Sequence, residues 1–255
     1  MNITQAYLIY SSKLFRQGIF LMLIILLSIS FQKLKAQILV QGEKSSYTDY
    51  VNQDFYDSLY AANAMNKEIP EEFSLQILYA LAHYPELQDV KISFIVKKAF
   101  TPLSALPSLS SMMIPLNRRT YRIIISSESV PEMERILLKN LPINAQIGVL
   151  GHEIAHVLDY HNKSFTDLLA VALNYSINPV YHAWFEKSTD LRTIDHGLGW
   201  ELYAYSKYVR TLFGREKREV NLSDDFYLHF NEILFEMQKR SLYDQYFQPN
   251  SISKK

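Results

Sequence analysis

Two histidines and a glutamate stand close together in an apolar stretch near the middle of the chain, as His152, Glu153 and His156 in the pattern His-Glu-x-x-His. Residues four apart lie on the same face of an α-helix, so the two imidazoles can converge on one tetrahedral metal ion. The Glu153 carboxylate would then stand beside a zinc-bound water, where it can act as a general base. The pattern therefore predicts that His152 and His156 bind Zn²⁺ and that the chemistry is peptide hydrolysis.

The residues around this pattern favour a buried helix. From Ala145 to Leu158 there is no proline, and Glu153 is the only Asp, Glu, Lys or Arg. Gly148 and Gly151 weaken a helix by about 1 kcal/mol each relative to alanine, and we expect close packing against them to compensate. The alternative interpretation is a chance match on the solvated face of a structural helix.

The third zinc ligand must come from elsewhere in the chain, because a catalytic zinc takes three protein ligands and leaves one position open. A third histidine six residues after the second, the metzincin arrangement, is absent, since that position is Asn162. Glu186 lies in a following helical segment, and Asp190 shares its helical face. We expect Glu186 to bind zinc and Asp190 to accept a hydrogen bond from the free N–H of a zinc-binding histidine.

The alternative interpretation of Glu186 and Asp190 is an exposed helix face with ordinary surface charge. The competing ligands are Asp190 itself, His182, His196 and Glu201.

Two segments resemble a known family. VLGHEIAHVLD at 149–159 and Glu-x-x-x-Asp at 186–190 are similar to motifs of the gluzincin metallopeptidases, most closely the branch containing the CAAX prenyl proteases and bacterial envelope-stress metalloproteases. The resemblance covers about residues 90–202 and includes a strand, a loop, a strand and a helix before the motif. It implies a zincin-like catalytic domain in which Glu186 is the third zinc ligand and Asp190 orients a histidine. This chain has Thr189 where the family usually has alanine, and no transmembrane helix flanks the catalytic region.

Residues 1–36 have the order of features found in a secretory signal. Lys13 and Arg16 precede the apolar run Gly18–Phe31, and a short segment ending at Ala36 follows it. The run of 14 residues is shorter than the roughly 20 that a spanning helix needs. We expect cleavage after Ala36, so that residues 37–255 form an exported domain of a bacterial envelope, periplasmic or secreted, with no stable membrane span. A retained N-terminal tether is the alternative.

The charge and the cysteine content of the chain bear on which partners and which stabilising features this class of protein can have. Lys plus Arg and Asp plus Glu both number 26, so the net charge gives no support to nucleic-acid binding. The chain has no cysteine, so an exported domain would be held together by its core without disulfides. The partner we expect is a protein or peptide substrate.

The hydrophobic pattern predicts an α+β fold that is mainly α-helical, with a small β-sheet beside the HExxH helix. Two strands are expected, Val90–Val96 and Tyr121–Ser127, and the second is either a core strand or an exposed edge to which an extended peptide could add. The proline-rich segment Thr101–Leu116 should be irregular. Helices are expected at residues 47–66, 70–85, 131–141, 144–162, 163–175, 179–196, 198–213 and 224–241, with Asn144 capping the HExxH helix.

The oxyanion that forms during peptide hydrolysis usually needs a further stabilising group, for which Tyr181, His182 and Tyr203 are candidates. Two other functions stay open at this point. One is a non-catalytic, zinc-stabilised binding or scaffold protein of the envelope. The other is a helical interaction protein in which the His-Glu-x-x-His pattern is accidental and binds no metal.

Overall fold

In the part of the chain that the structure describes, most residues are helical, and four short strands form one sheet. The computed structural model describes residues 53–108, 111–115, 118–214 and 226–247. The predicted signal at 1–36 and residues 37–52, which include the start of the helix predicted at 47–66, lie outside these ranges. Within them, the α+β class with mainly helical content is confirmed. The helices are α1 (Gln53–Asn63), α2 (Ser74–Ala82), α3 (Pro131–Glu134), α4 (Ile143–His161), α5 (Phe165–Ile177), α6 (Pro179–Asp195), α7 (Gly199–Gly214), α8 (Phe230–Gln238) and α9 (Asp244–Phe247), and the strands are β1 (Lys67–Glu68), β2 (Lys91–Lys97), β3 (Leu103–Pro107) and β4 (Thr120–Ser126).

The sheet is mixed, with the strand order β1-β2-β4-β3. β2 runs parallel to β1 and to β4, and β3 runs antiparallel to β4. β2 and β4 fall within one residue of the two predicted strands. Because β4 is paired on both sides, it is a core strand, and the alternative that Tyr121–Ser127 forms an exposed edge is wrong.

The prediction that Thr101–Leu116 is irregular is wrong at Leu103–Pro107, which form β3. The three prolines of this segment argued against a strand, because proline cannot donate to a ladder of hydrogen bonds. Edge strands tolerate proline where the missing N–H would face away from the sheet. Among the described residues β3 is such an edge strand, with Pro102 just before it and Pro107 as its last residue.

The hydrogen-bond pattern shows which groups of β3 face outward. Ser126 N–H donates to Pro102 O at 2.9 Å, and Ser108 N–H donates to Thr120 O at 2.8 Å. Bonded and non-bonded pairs alternate in an antiparallel ladder. The even-numbered residues of β3 therefore bond to β4, and the backbone groups of the odd-numbered ones, including Ala105, face the open side.

Helix α4, which carries the His-Glu-x-x-His pattern, runs through the middle of the fold. Every residue from Ala145 to Asp159 is buried. The helix packs against α2, α6, α7 and β3, so it is covered on several sides, as expected of a helix that is apolar nearly all round. The predicted position of a small sheet beside this helix is confirmed by its contact with β3.

Two glycines allow α7 and the turn before it to approach α4 closely. A Cβ atom at Gly148 would lie 2.2 Å from the backbone oxygen of Glu201, and one at Gly151 would lie 2.5 Å from the Leu198 side chain. Neither distance leaves room for a methyl group. The expected close backbone packing is confirmed at Gly148, whereas at Gly151 the close contact is with a side chain.

Helix starts follow local capping chemistry only in part. The prediction that Asn144 caps the HExxH helix is wrong, because α4 begins at Ile143 and Pro142 occupies the cap position without a side-chain bond. Asn178 does cap α6, where its side chain accepts a hydrogen bond from Tyr181 N–H at 3.1 Å. At the start of α4 the Pro142 carbonyl accepts a hydrogen bond from Gln146 N–H at 2.9 Å.

Several predicted helices are shorter than expected, including α1 and α2, which end at Asn63 and Ala82. The segment expected at 131–141 forms only the single turn of α3, followed by a 3₁₀ turn at Leu138–Asn140. The last long helix begins at Phe230, capped by His229, and residues 215–225 lie outside the described residues. In the described part of the chain, the helices are all too short or too polar to cross a membrane.

Candidate metal centre

Three buried side chains meet where α6 crosses α4. The Glu186 Oε2 atom lies 3.0 Å from His152 Nε2 and 3.3 Å from His156 Nε2. The exposed fractions of the three residues are only 5%, 5% and 2% for His152, His156 and Glu186. Their ligand atoms all lie within 4.8 Å of one another, so the group could bind a metal ion.

The two histidines project from the same face of α4, one turn apart, as their spacing requires. Their rings are 4.7 Å apart and meet edge to face at 87°. The Phe185 ring stacks on His156 at 5.2 Å. Because Phe185 and Glu186 are neighbours on α6, the same helix packs against one imidazole and places a carboxylate between both.

Asp190 lies behind His152, one turn after Glu186 on α6. Its Oδ1 accepts a hydrogen bond from His152 Nδ1 at 2.8 Å, and its Oδ2 accepts one from the backbone N–H of Leu228 at 2.8 Å. A proton on Nδ1 leaves the Nε2 lone pair of His152 free for a metal ion. Asp190 is 2% exposed and does not itself reach the centre of the cluster.

His156 has a different partner on its outer nitrogen. Thr189 Oγ1 lies 3.3 Å from His156 Nδ1 and donates its own hydrogen to the Phe185 carbonyl at 2.9 Å. Thr189 was not a predicted site residue. No spacing rule in the sequence links Thr189 to the motif, and only the packing of α6 on α4 brings its hydroxyl to an imidazole.

Two residues contact the outer oxygen of Glu186. Tyr175, on α5, donates a hydrogen bond to Glu186 Oε1 at 2.5 Å. His182 Nε2 lies 3.7 Å from the same oxygen, and its ring lies 3.8 Å from that of Tyr175. His182 therefore borders the cluster, whereas Tyr175 was missed because no spacing rule links it to the motif.

Glu153 lies between the cluster and β3. It is 7% exposed, and burial raises the pKa of its carboxyl above the usual value. The charges of His156 and His152 and a hydrogen bond from the Ala105 backbone oppose that rise. The carboxyl is thus held near the imidazoles in an environment that raises its affinity for a proton.

The cluster favours positive charge at its centre. Burial alone would lower the pKa of His152, but the hydrogen bonds and charges of Asp190 and Glu186 hold it well above its usual value. Burial would raise the pKa of Glu186, but the hydrogen bonds and charges of both histidines hold it well below its usual range. A metal cation that binds here would compete with protons for the same atoms.

The other candidate residues lie elsewhere. His196 stacks on Tyr84 at 4.4 Å and contacts Glu86 at 3.3 Å. Glu201 is buried on α7 beside Gly148.

Of the candidates for oxyanion stabilisation, Tyr203 packs on Trp200 and Phe230, and Tyr181 packs on Trp184 and Phe185.

No protein-family model, curated protein or solved structure matches this chain.

Proposed function

We propose that this protein is a zinc-dependent metalloendopeptidase of the gluzincin type, with His152, His156 and Glu186 as the zinc ligands. The observation that carries the proposal is the convergence of one carboxylate oxygen on two imidazole Nε2 atoms, at 3.0 and 3.3 Å. Ligand atoms about 2.0–2.1 Å from a tetrahedral zinc are separated by about 3.3 Å, so the two carboxylate–imidazole separations nearly match those of a zinc site, and all the ligand atoms lie within 4.8 Å of one another. A set of two nitrogens and one oxygen is a common zinc donor set.

Bound at this place, zinc would lower the pKa of a water molecule and polarise a peptide carbonyl. Glu153 then serves as the general base that takes the proton of the attacking water and returns it to the leaving amine. His182 is the predicted oxyanion-stabilising candidate that borders the cluster, and we assign that role to it.

The substrate we propose is an extended polypeptide that adds to the open side of β3. The outward backbone N–H of Ala105 donates to the Glu153 carboxylate, so the open side of β3 lies against the general base. A peptide aligned there would pass the general base. This supports an endopeptidase, since strand addition recognises the interior of a chain rather than its end.

The site of action that we propose is the bacterial envelope or the exterior of the cell. The support is the sequence of residues 1–36, in which Lys13 and Arg16 precede the apolar run Gly18–Phe31.

The test combines zinc analysis with cleavage of a denatured protein. We expect one zinc per chain in the unmodified protein and in Glu153→Gln, with cleavage lost only in the variant. Glu201→Gln is the matched control, because it makes the same change at another buried glutamate, away from the cluster. Glu186→Ala should lose zinc. A chain that takes up no zinc on metal-replete refolding would overturn the proposal.

One observation favours a non-catalytic, zinc-stabilised scaffold as the second candidate. The three ligands are at most 5% exposed, and structural zinc sites are closed whereas catalytic sites keep an open position. This candidate predicts bound zinc without cleavage of any denatured protein, and no effect of Glu153→Gln on binding to a partner.

A further inference from the structure

We propose that Thr189 is a positioning residue that sets the tautomer and ring orientation of His156, as Asp190 does for His152. The inference rests on the proposed function, because it assigns Thr189 a role in zinc binding.

The direction of the hydrogen bonds follows from the single hydrogen of a hydroxyl group. Thr189 donates that hydrogen to Phe185 O at 2.9 Å. Its oxygen can then only accept from His156, whose Nδ1 lies 3.3 Å away. The proton is therefore on Nδ1, and the lone pair is on Nε2, the nitrogen that faces Glu186 at 3.3 Å.

Helix geometry explains how neighbouring residues serve two different rings. Successive side chains on an α-helix point in directions about 100° apart. Thr189 and Asp190 are successive residues on α6, and they contact different imidazoles, those of His156 and His152. One turn of α6 thus supplies a separate acceptor for each histidine.

The neutral hydroxyl has an electrostatic advantage over a second carboxylate. Glu153, Glu186 and Asp190 already place three buried carboxyl groups around the two histidines. A fourth buried carboxylate would need a further positively charged or hydrogen-bonding partner to offset the free-energy cost of its removal from water. Thr189, which is 0% exposed, orients its imidazole without adding charge.

A purely structural role is the competing explanation, because threonine often bonds to the carbonyl four residues earlier in a helix. Thr193 provides a matched control on the same helix. It is also 0% exposed, and its hydroxyl donates to Thr189 O at 2.9 Å. Its environment includes Tyr84 and Gly151 rather than an imidazole of the cluster.

The experiment measures zinc affinity by competition with a chelating indicator, using the full chain and the variants Thr189→Val, Thr189→Ser and Thr193→Val. We expect Thr189→Val to bind zinc about 10- to 100-fold more weakly, the usual effect of losing an outer partner of a ligand. Thr189→Ser keeps the hydroxyl and should bind nearly as the unmodified chain does. Thr193→Val should also leave zinc affinity unchanged, although both valine variants lose one helix hydrogen bond and should unfold at lower temperatures.

Equal zinc affinity of Thr189→Val and the unmodified chain would overturn the role of Thr189 and leave the proposed function standing. Absence of zinc from the unmodified chain would overturn both. Nitrogen-15 histidine spectra of the zinc-loaded, unmodified protein give a test that needs no variant. We expect a protonated Nδ1 and a zinc-bound Nε2 at His156, and the reverse assignment would overturn the inference.

Discussion

Asp190 ties His152 to the C-terminal part of the described chain. One oxygen of its carboxylate accepts a hydrogen bond from His152 Nδ1, and the other accepts one from Leu228 N–H, both at 2.8 Å. With both oxygens occupied, the carboxylate has little freedom to rotate. The orientation of His152 is therefore coupled to the packing of the segment that leads into α8.

We expect Asp190→Asn to weaken zinc binding by about 10- to 100-fold. If the amide oxygen of the variant accepts from Leu228 N–H, its NH₂ group faces His152 Nδ1–H, and two donors then oppose each other. The measurement is zinc competition with a chelating indicator. Asp195→Asn is the control, because Asp195 is an exposed residue of the same helix that pairs with Arg240. Unchanged affinity of Asp190→Asn would contradict the orienting role.

Zinc removal should lower the thermal stability of the protein. A ligand that binds only the folded state stabilises it by about 2.7 kcal/mol at 100 times its dissociation constant. For a domain of this size that corresponds to roughly 5–10 °C in Tm. Calorimetry before and after chelation measures the shift, which should be absent in Glu186→Gln. An unmodified chain with the same Tm in both states would argue against a metal site.

Gly148→Ala should destabilise the fold by about 2 kcal/mol or more, because overpacking a buried contact forces a backbone to move. The new methyl group would stand 2.2 Å from the Glu201 backbone oxygen. Urea unfolding of the zinc-saturated protein measures the loss. Gly214→Ala is the control, since a Cβ atom there meets nothing within 4 Å. Equal stability of the two variants would show that α4 and α7 can separate without loss.

Glu201 should make stability depend on pH. Burial raises the pKa of Glu201 from the model-compound value of 4.5 to about 7. Between these two pKa values the folded chain binds more protons at Glu201 than the unfolded chain does. The contribution of Glu201 to the free energy of unfolding is therefore full below pH 4.5 and is lost as the pH rises through about 7.

Glu201→Gln removes the titrating group, so it should be more stable than the unmodified chain at pH 8, by about 1–3 kcal/mol. The advantage should shrink toward pH 4.5, the unperturbed value for this carboxyl. Urea unfolding of both zinc-saturated chains across this pH range checks the sign. A difference in stability that does not vary with pH would refute it.

The sequence by itself determined the features that depend on helical or strand periodicity. His152 and His156 share a face of α4, and Glu186 and Asp190 share a face of α6, because residues four apart align on any helix. The alternation in Val90–Val96 likewise identified β2. These relationships are local, so they hold wherever the element lies in the fold.

Only the tertiary structure decided which of the separated residues meet. Glu186 reaches both imidazoles, whereas His196 and Glu201 do not. The positions of α6 and α7 against α4 depend on contacts between residues distant in sequence, such as the close approach at Gly148, and no local pattern predicts these contacts. The edge strand β3 was missed for a related reason. Its prolines disfavour a strand locally, but Pro102 precedes the strand, and the missing N–H of Pro107, an odd-numbered residue, faces the open side. Partners such as Thr189 and Tyr175 are ordinary helix residues in sequence, and they join the cluster only because α5 and α6 pack against it.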